Sequence, residues 1–99
     1  MSALRYKNYI AGEWRRSESN EWFQSTNPYD GISVLGIFPR SGGDDADKAI
    51  EAARQAYEKW RKWGLVKRSE LLWEVSRLFQ DNVPELARVI ASESGKQIN

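Results

Sequence analysis

The side chains able to do chemistry in this sequence are carboxylates, lysines, arginines and tyrosines, because its 99 residues include no cysteine and no histidine. That composition excludes Ser-His-Asp and Cys-His nucleophilic catalysis, His-ligated or Cys-rich zinc, and a disulfide framework. It also removes the one side chain whose unperturbed pKa lies near neutrality. Glu13, Glu18 and Glu21 fall near expected strand ends. Nothing pairs two of them in the apolar setting that would separate their pKa values for glycosidase-type acid–base work. Trp60 and Trp63 lie among Lys59, Arg61, Lys62, Lys67 and Arg68, a mixture with the chemistry to stack bases and hold phosphate. The spacing instead favours Trp60 as the end of a buried helix stripe, with the cations placed where a helix dipole attracts them. Ser41-Gly42-Gly43 precedes a helix like a phosphate cradle, but it lacks the Walker spacing, and Asp44 and Asp45 follow it. Two carboxylates there repel phosphate, so the segment reads as a helix-entry loop.

The elements that must position these residues belong to a small chain. With 40% hydrophobic and 29% charged residues and a net charge of +1, it has room for one domain with a thin core. A chain this short typically buries only about 60 to 65% of its unfolded surface. A near-neutral balance supplies no global field for nucleic acid or an anionic membrane, so neither is an expected partner. The opening MSALRYKNYIAGEW has no apolar run of signal-peptide length, and no segment approaches the ~20 apolar residues of a membrane span. The expected location is the cytoplasm.

Residues 1–40 read as strands and turns, and residues 41–99 as three helices. Lys7–Ile10 and Glu13–Arg15 flank Ala11-Gly12, a two-residue hairpin connection. Glu21–Thr26 forms a third expected strand, halted by Asn27-Pro28 with Tyr29-Asp30-Gly31 as turn residues, and Ile32–Pro39 a fourth, with Gly36 marking a bulge. Ala46, Ala49, Ile50, Ala53, Tyr57 and Trp60 recur at helical spacing, and Gly64 is expected to end that helix. Leu71, Leu72, Val75, Leu78 and Phe79 make the stripe of a second helix starting near Lys67 and stopping near Asn82. Asn82, Pro84 and Glu85 then form a capping-box-like start to a third. Leu86, Ala87 and Ile90 are its buried face, Gly95 its left-handed end, and Lys96 lies beside the last carbonyls. The apolar stripes of all three helices are expected core. They would be partly exposed if the rest of a larger protein normally covered them.

In this order the residues resemble the N-terminal segment of the NAD(P)-dependent aldehyde dehydrogenase superfamily, from Tyr9 to Lys96. Tyr9-Ile10-Ala11-Gly12-Glu13-Trp14 is similar to that family's opening hairpin, and Asn27-Pro28 with Asp30-Gly31 to its asparagine–proline turn. Asp44 to Trp60, with Ala49, Ala52-Ala53 and Ala56-Tyr57, resembles the first helix, and Arg68 to Phe79 the second. Pro84-Glu85-Leu86-Ala87 and Glu93-Ser94-Gly95-Lys96 are similar to the third helix and its ending. Two positions depart from the pattern: Gln97 follows the glycine–lysine pair in place of proline, and Ile32 follows the turn glycine in place of glutamate.

The resemblance implies an α+β-looking fragment, strands followed by three amphipathic helices, of an α/β Rossmann-like enzyme that oxidises aldehydes to carboxylic acids. The family's chemistry runs through a cysteine thiohemiacetal with hydride transfer to NAD or NADP. Its nucleophilic cysteine, general-base glutamate, oxyanion-hole asparagine and Gly-rich cofactor loop belong to other segments, so this chain by itself is expected to be inactive. The resemblance also implies a structural monovalent cation held by carbonyl oxygens around Ser25 and Thr26 and by the Glu93 carboxylate. Oxygen donors of this kind suit a hard cation. The implied partners are the remainder of the parent enzyme and further copies of it, as a dimer or tetramer. A free-standing helical module that binds a protein partner through its apolar face is the alternative.

Overall fold

The structure, a computed structural model, describes Leu4–Gly95. Lys96 and Gln97, and with them the expected charge at the third helix end, lie outside the described residues. Strands β1 (Asn8–Ile10) and β2 (Glu13–Arg15) pair antiparallel, as do β3 (Trp22–Thr26) and β4 (Val34–Pro39). Ala11 and Gly12 join the first pair at φ 54° and 79°. Two successive left-handed residues make the turn whose twist matches the flanking strands. Tyr9 pairs across this hairpin with Trp14, their rings 4.8 Å apart.

In the second hairpin Ser25 is opposite Gly36 and Thr26 opposite Val34, which leaves Leu35 as the extra residue of a bulge. Gly36 therefore flanks the bulge. Its lack of a side chain has a different cause, because a Cβ there would lie 2.7 Å from Cε2 of Tyr6. Tyr6 belongs to a run that sequence periodicity does not show. Leu4–Tyr6 lies parallel to β4, with the Tyr6 N–H donating to Ile37 O (2.8 Å) and the Ile37 N–H to Leu4 O (2.9 Å). The Tyr6 ring then stacks on Phe38 at 5.1 Å.

Three helices follow: α1 (Gly43–Trp60), α2 (Leu65–Asp81) and α3 (Val83–Ser94). Gly64 does not end α1 as expected. The helix stops at Trp60 with Arg61 as its cap, and Gly64, in extended conformation at φ −65° and ψ 160°, is the N-cap of α2. This moves the start of α2 from Lys67 to Leu65. Asn82 is the sole residue between α2 and α3, and its side chain does not form the expected capping box with Glu85. Its Nδ2 donates backward to Leu78 O at 2.8 Å, closing α2. Pro84 lies in the first turn of α3, where the missing N–H costs nothing. Gly95 ends the helix at φ 74°, its N–H donating to Ala91 O at 2.9 Å.

The helix stripes do not form a closed core and are exposed instead, the second of the two expectations for them. No apolar side chain of the three helices is buried, and Ile50 and Tyr57 on α1 are 66% and 57% exposed. On α2 and α3, Leu72, Phe79 and Ile90 are also exposed. The radius of gyration is 17.1 Å, against about 13 Å for a compact domain of this length. The accessible surface is 8445 Å², against about 5,800 Å² for a compact monomer of 11.4 kDa. The helices are amphipathic as read, and no second layer covers their stripes among the described residues. No helix among the described residues is long and apolar enough to cross a membrane.

Candidate functional site

The segment joining β3 to β4 is a tightly bonded loop. Asn27 Oδ1 accepts the Tyr29 N–H (2.9 Å), while the Asn27 N–H donates to Ser33 O (2.8 Å). Asp30 Oδ1 accepts from the N–H groups of Ile32 (2.9 Å) and Ser33 (3.0 Å), and Asp30 Oδ2 from the Ser33 hydroxyl (2.5 Å). The Ser33 hydroxyl foremost, with the two amides, lowers the Asp30 pKa to about 2. Each bond favours the ionised carboxylate. Gly31 supplies the positive φ of 69° that the loop needs.

This loop meets the end of α3. A Cβ on Gly95 would lie 3.8 Å from Cγ of Pro28, so the helix terminus approaches the turn directly after Thr26. A cavity of about 490 Å³ opens between α3 and the β3–β4 hairpin. It is lined by Tyr6, Leu35 and Phe38 on one side and by Glu85, Val89 and Glu93 on the other. Ser25 is half-buried and Thr26 exposed, and both flank the bulge whose extra residue, Leu35, lines that cavity. Glu93 is exposed in the last turn of α3. Glu93 lines the cavity, whereas Ser25 and Thr26 are outside its lining. No cluster of three or more acidic, His or Cys side chains suited to a metal occurs among the described residues.

The remaining sequence candidates take ordinary structural places. Glu13 pairs with Arg15 (3.1 Å), Glu18 with Lys48 and Glu21 with Arg40 (3.9 Å), so the three carboxylates face three different cations. Trp60 and Trp63 are half-buried against each other at 5.3 Å, and Lys67 Nζ lies 4.0 Å over the Trp63 ring. Ser41-Gly42-Gly43 enters α1 as expected, and Ser41 Oγ accepts from Asn8 Nδ2 at 2.7 Å. The residues described here do not fit a nicotinamide dinucleotide by themselves. The only glycine pair at a helix start leads into the carboxylates of Asp44 and Asp45.

One acid had more to do than the sequence suggested. Asp45 is 6% exposed. Its Oδ2 accepts the Gly42 N–H (3.0 Å) and its Oδ1 the Glu18 N–H (3.0 Å), fastening the β2–β3 loop to the start of α1. Its place three residues after the N-cap was the available signal, since an acid there reaches back to the cap amide.

Two antiparallel hairpins thus lead into three amphipathic helices, and the end of the third approaches the Asn27-Pro28 turn. Comparison gives the family: residues 14–99 match the aldehyde dehydrogenase family, and the chain belongs to it. It is 40% identical over 94 residues to malonate-semialdehyde dehydrogenase 1 of Bacillus anthracis, covering 95% of this chain and 19% of that protein. An NAD-dependent aldehyde dehydrogenase from Sinorhizobium meliloti superposes with a TM-score of 0.88 at 29% identity, covering 96% of this chain and 19% of that one. An NADP-dependent enzyme of E. coli superposes at 0.87 with 33% identity, covering 94% and 19%. The chain thus spans about one fifth of the length of the relatives it matches.

Proposed function

We propose that this chain is the N-terminal scaffold segment of an NAD(P)-dependent aldehyde dehydrogenase and is catalytically silent by itself. The observation that carries this reading is the uncovered apolar surface. The chain exposes 8445 Å², roughly 2,700 Å² more than a compact monomer of its mass, while obligate interfaces bury about 1,000–2,500 Å² per partner. A surface of that size has the scale of a layer whose facing layer lies elsewhere. In the parent the facing layer is the Rossmann-like cofactor domain, to which residues 1–99 belong as an incomplete part. The parent is a cytoplasmic dimer or tetramer.

The chemistry agrees with this division of labour. Thiohemiacetal formation needs a thiolate, and the chain has no cysteine. NAD or NADP, when bound in the parent, accepts the hydride. The residues of this segment support that site from behind and do not line it. A monovalent cation in the parent is held between the carbonyls of Ser25 and Thr26 and the Glu93 carboxylate, with its other ligands from the remainder. It would lock the end of α3 to the β3–β4 bulge.

Incubating the 99-residue chain with a panel of aldehydes and either cofactor should give no reduced nicotinamide. Clear turnover would sink the scaffold reading. Extending the coding sequence past Asn99 should reveal a Gly-rich loop and a cysteine. A stop codon directly after it would support the free-standing interaction module instead. In the full-length parent, Glu93→Gln should abolish any dependence of thermal stability on potassium or sodium while leaving the fold intact.

A further inference from the structure

The apolar stripe of α2 contains one residue that does not belong to it chemically. Arg68 is followed at helical spacing by Leu71, Leu72, Val75 and Phe79, so its side chain starts from the centre of the apolar face. It is half-buried, and its Nε is shielded from solvent with no hydrogen-bond partner. The other arginine of this helix behaves differently. Arg77, on the opposite flank, pairs with Glu74 (2.7 Å) and Asp81 (3.5 Å) in the open. A shielded guanidinium donor without an acceptor is costly, and such groups normally find one. The four apolar residues around it are 41–61% exposed, so the face on which the acceptor must arrive is open.

We propose that Arg68 and the stripe Leu71, Leu72, Val75 and Phe79 form the docking face for the remainder of an aldehyde dehydrogenase chain, which presents a carboxylate to the Arg68 guanidinium. This rests on the scaffold reading above and assigns that reading its contact. The surplus surface matches what a large permanent interface needs, and four fifths of the relatives' length lies outside the matched region. A second copy of this chain is the poorer occupant. A two-fold contact brings the same patch from both sides, and this patch contains no acid to meet Arg68. A guanidinium facing a carboxylate across an apolar surround has the composition of an interface hot spot: planar, bidentate and sealed from water.

The test is co-expression of the tagged chain with a Bacillus anthracis malonate-semialdehyde dehydrogenase lacking its matching segment. Co-purification is the primary readout, and NADH formation from that enzyme's own aldehyde is the second. The unaltered chain should recover the remainder. Arg68→Met keeps the apolar stem and should lower recovery at least tenfold. Arg68→Lys should restore it only in part, because an ammonium cannot make the bidentate contact. Arg54→Met, which removes an exposed pair with Glu51, should change nothing. Far-UV circular dichroism of each variant reports whether the helices persist. Full recovery with Arg68→Met would overturn the docking assignment and leave the scaffold reading standing. Failure of the unaltered chain to recover the remainder would overturn both, as would a chain that sediments as a stable dimer through this same stripe.

Discussion

At the scale of single residues, two aspartates hold loops in place by opposite kinds of evidence. Asp45 is buried and accepts two main-chain N–H groups from segments 27 residues apart in sequence and three apart. Asp45→Ala leaves both donors without their acceptor and should lower stability by about 1–2 kcal/mol, read as the shift in a urea or thermal unfolding midpoint. Asp30 is exposed, and its bonds to Ser33 and Ile32 act through protonation. Its pKa lies at about 2, below the ordinary 3.8. A depressed carboxylate favours the folded loop above its unfolded pKa, and that preference disappears as pH falls through the folded value. NMR titration should place the Asp30 midpoint near 2, with the Ile32 and Ser33 amides losing protection between about pH 4 and pH 2. A midpoint near 3.8 would refute these bonds, and Asp30→Asn should remove the pH dependence. The turn role of Asp30 was legible in Tyr29-Asp30-Gly31, because its partners lie within three residues. The clasp made by Asp45 was only half legible: the cap amide is local, whereas Glu18 arrives from a distant loop.

At the scale of elements, what could be read was whatever local stereochemistry decides. Ala11-Gly12, Asn27-Pro28 and Gly95 announce a hairpin turn, a strand stop and a helix end, and each does that in the structure. Gly64 opens α2 and does not end α1, because a glycine between two helices serves either neighbour and only its extended backbone tells which. The Leu4–Tyr6 run is not legible in the sequence, since three residues carry no period and its pairing with Ile37 is long-range. Two substitutions test these assignments. Ala11 occupies a left-handed conformation that costs a residue with a Cβ roughly 1 kcal/mol. Ala11→Asn should recover about half of that or more as a higher melting temperature. Gly36→Ala would push a methyl group against Tyr6 and break the Tyr6–Phe38 stack, costing about 1–2 kcal/mol. A changed near-ultraviolet tyrosine signal should accompany that loss, and an unchanged one would argue against the close approach.

At the scale of the whole molecule, the helix stripes are amphipathic as expected, and of the two expectations for them, a core or a partly exposed surface, the structure shows the exposed one. Periodicity reports which side of a helix is apolar but not what covers it. Exposed Leu72, Phe79 and Ile90 make a free chain that should bind a hydrophobic dye such as ANS strongly, with the signal falling when the remainder of a relative is added. A dim signal from the isolated chain would mean that the helices close on themselves in solution. The candidate cation site was legible only through resemblance, because Ser25, Thr26 and Glu93 share no local pattern and lie on elements far apart in sequence. The chain between those elements turns on Asn82, one residue that serves as the end of α2 and the beginning of α3. Such a junction has no slack. Adding a single residue would turn α3 by about 100° and advance it by about 1.5 Å. Glu93 would then swing off the side that faces the hairpin. Length variation among related sequences should therefore collect in the polar stretch before β3, where a loop can absorb it, and stop short at this joint.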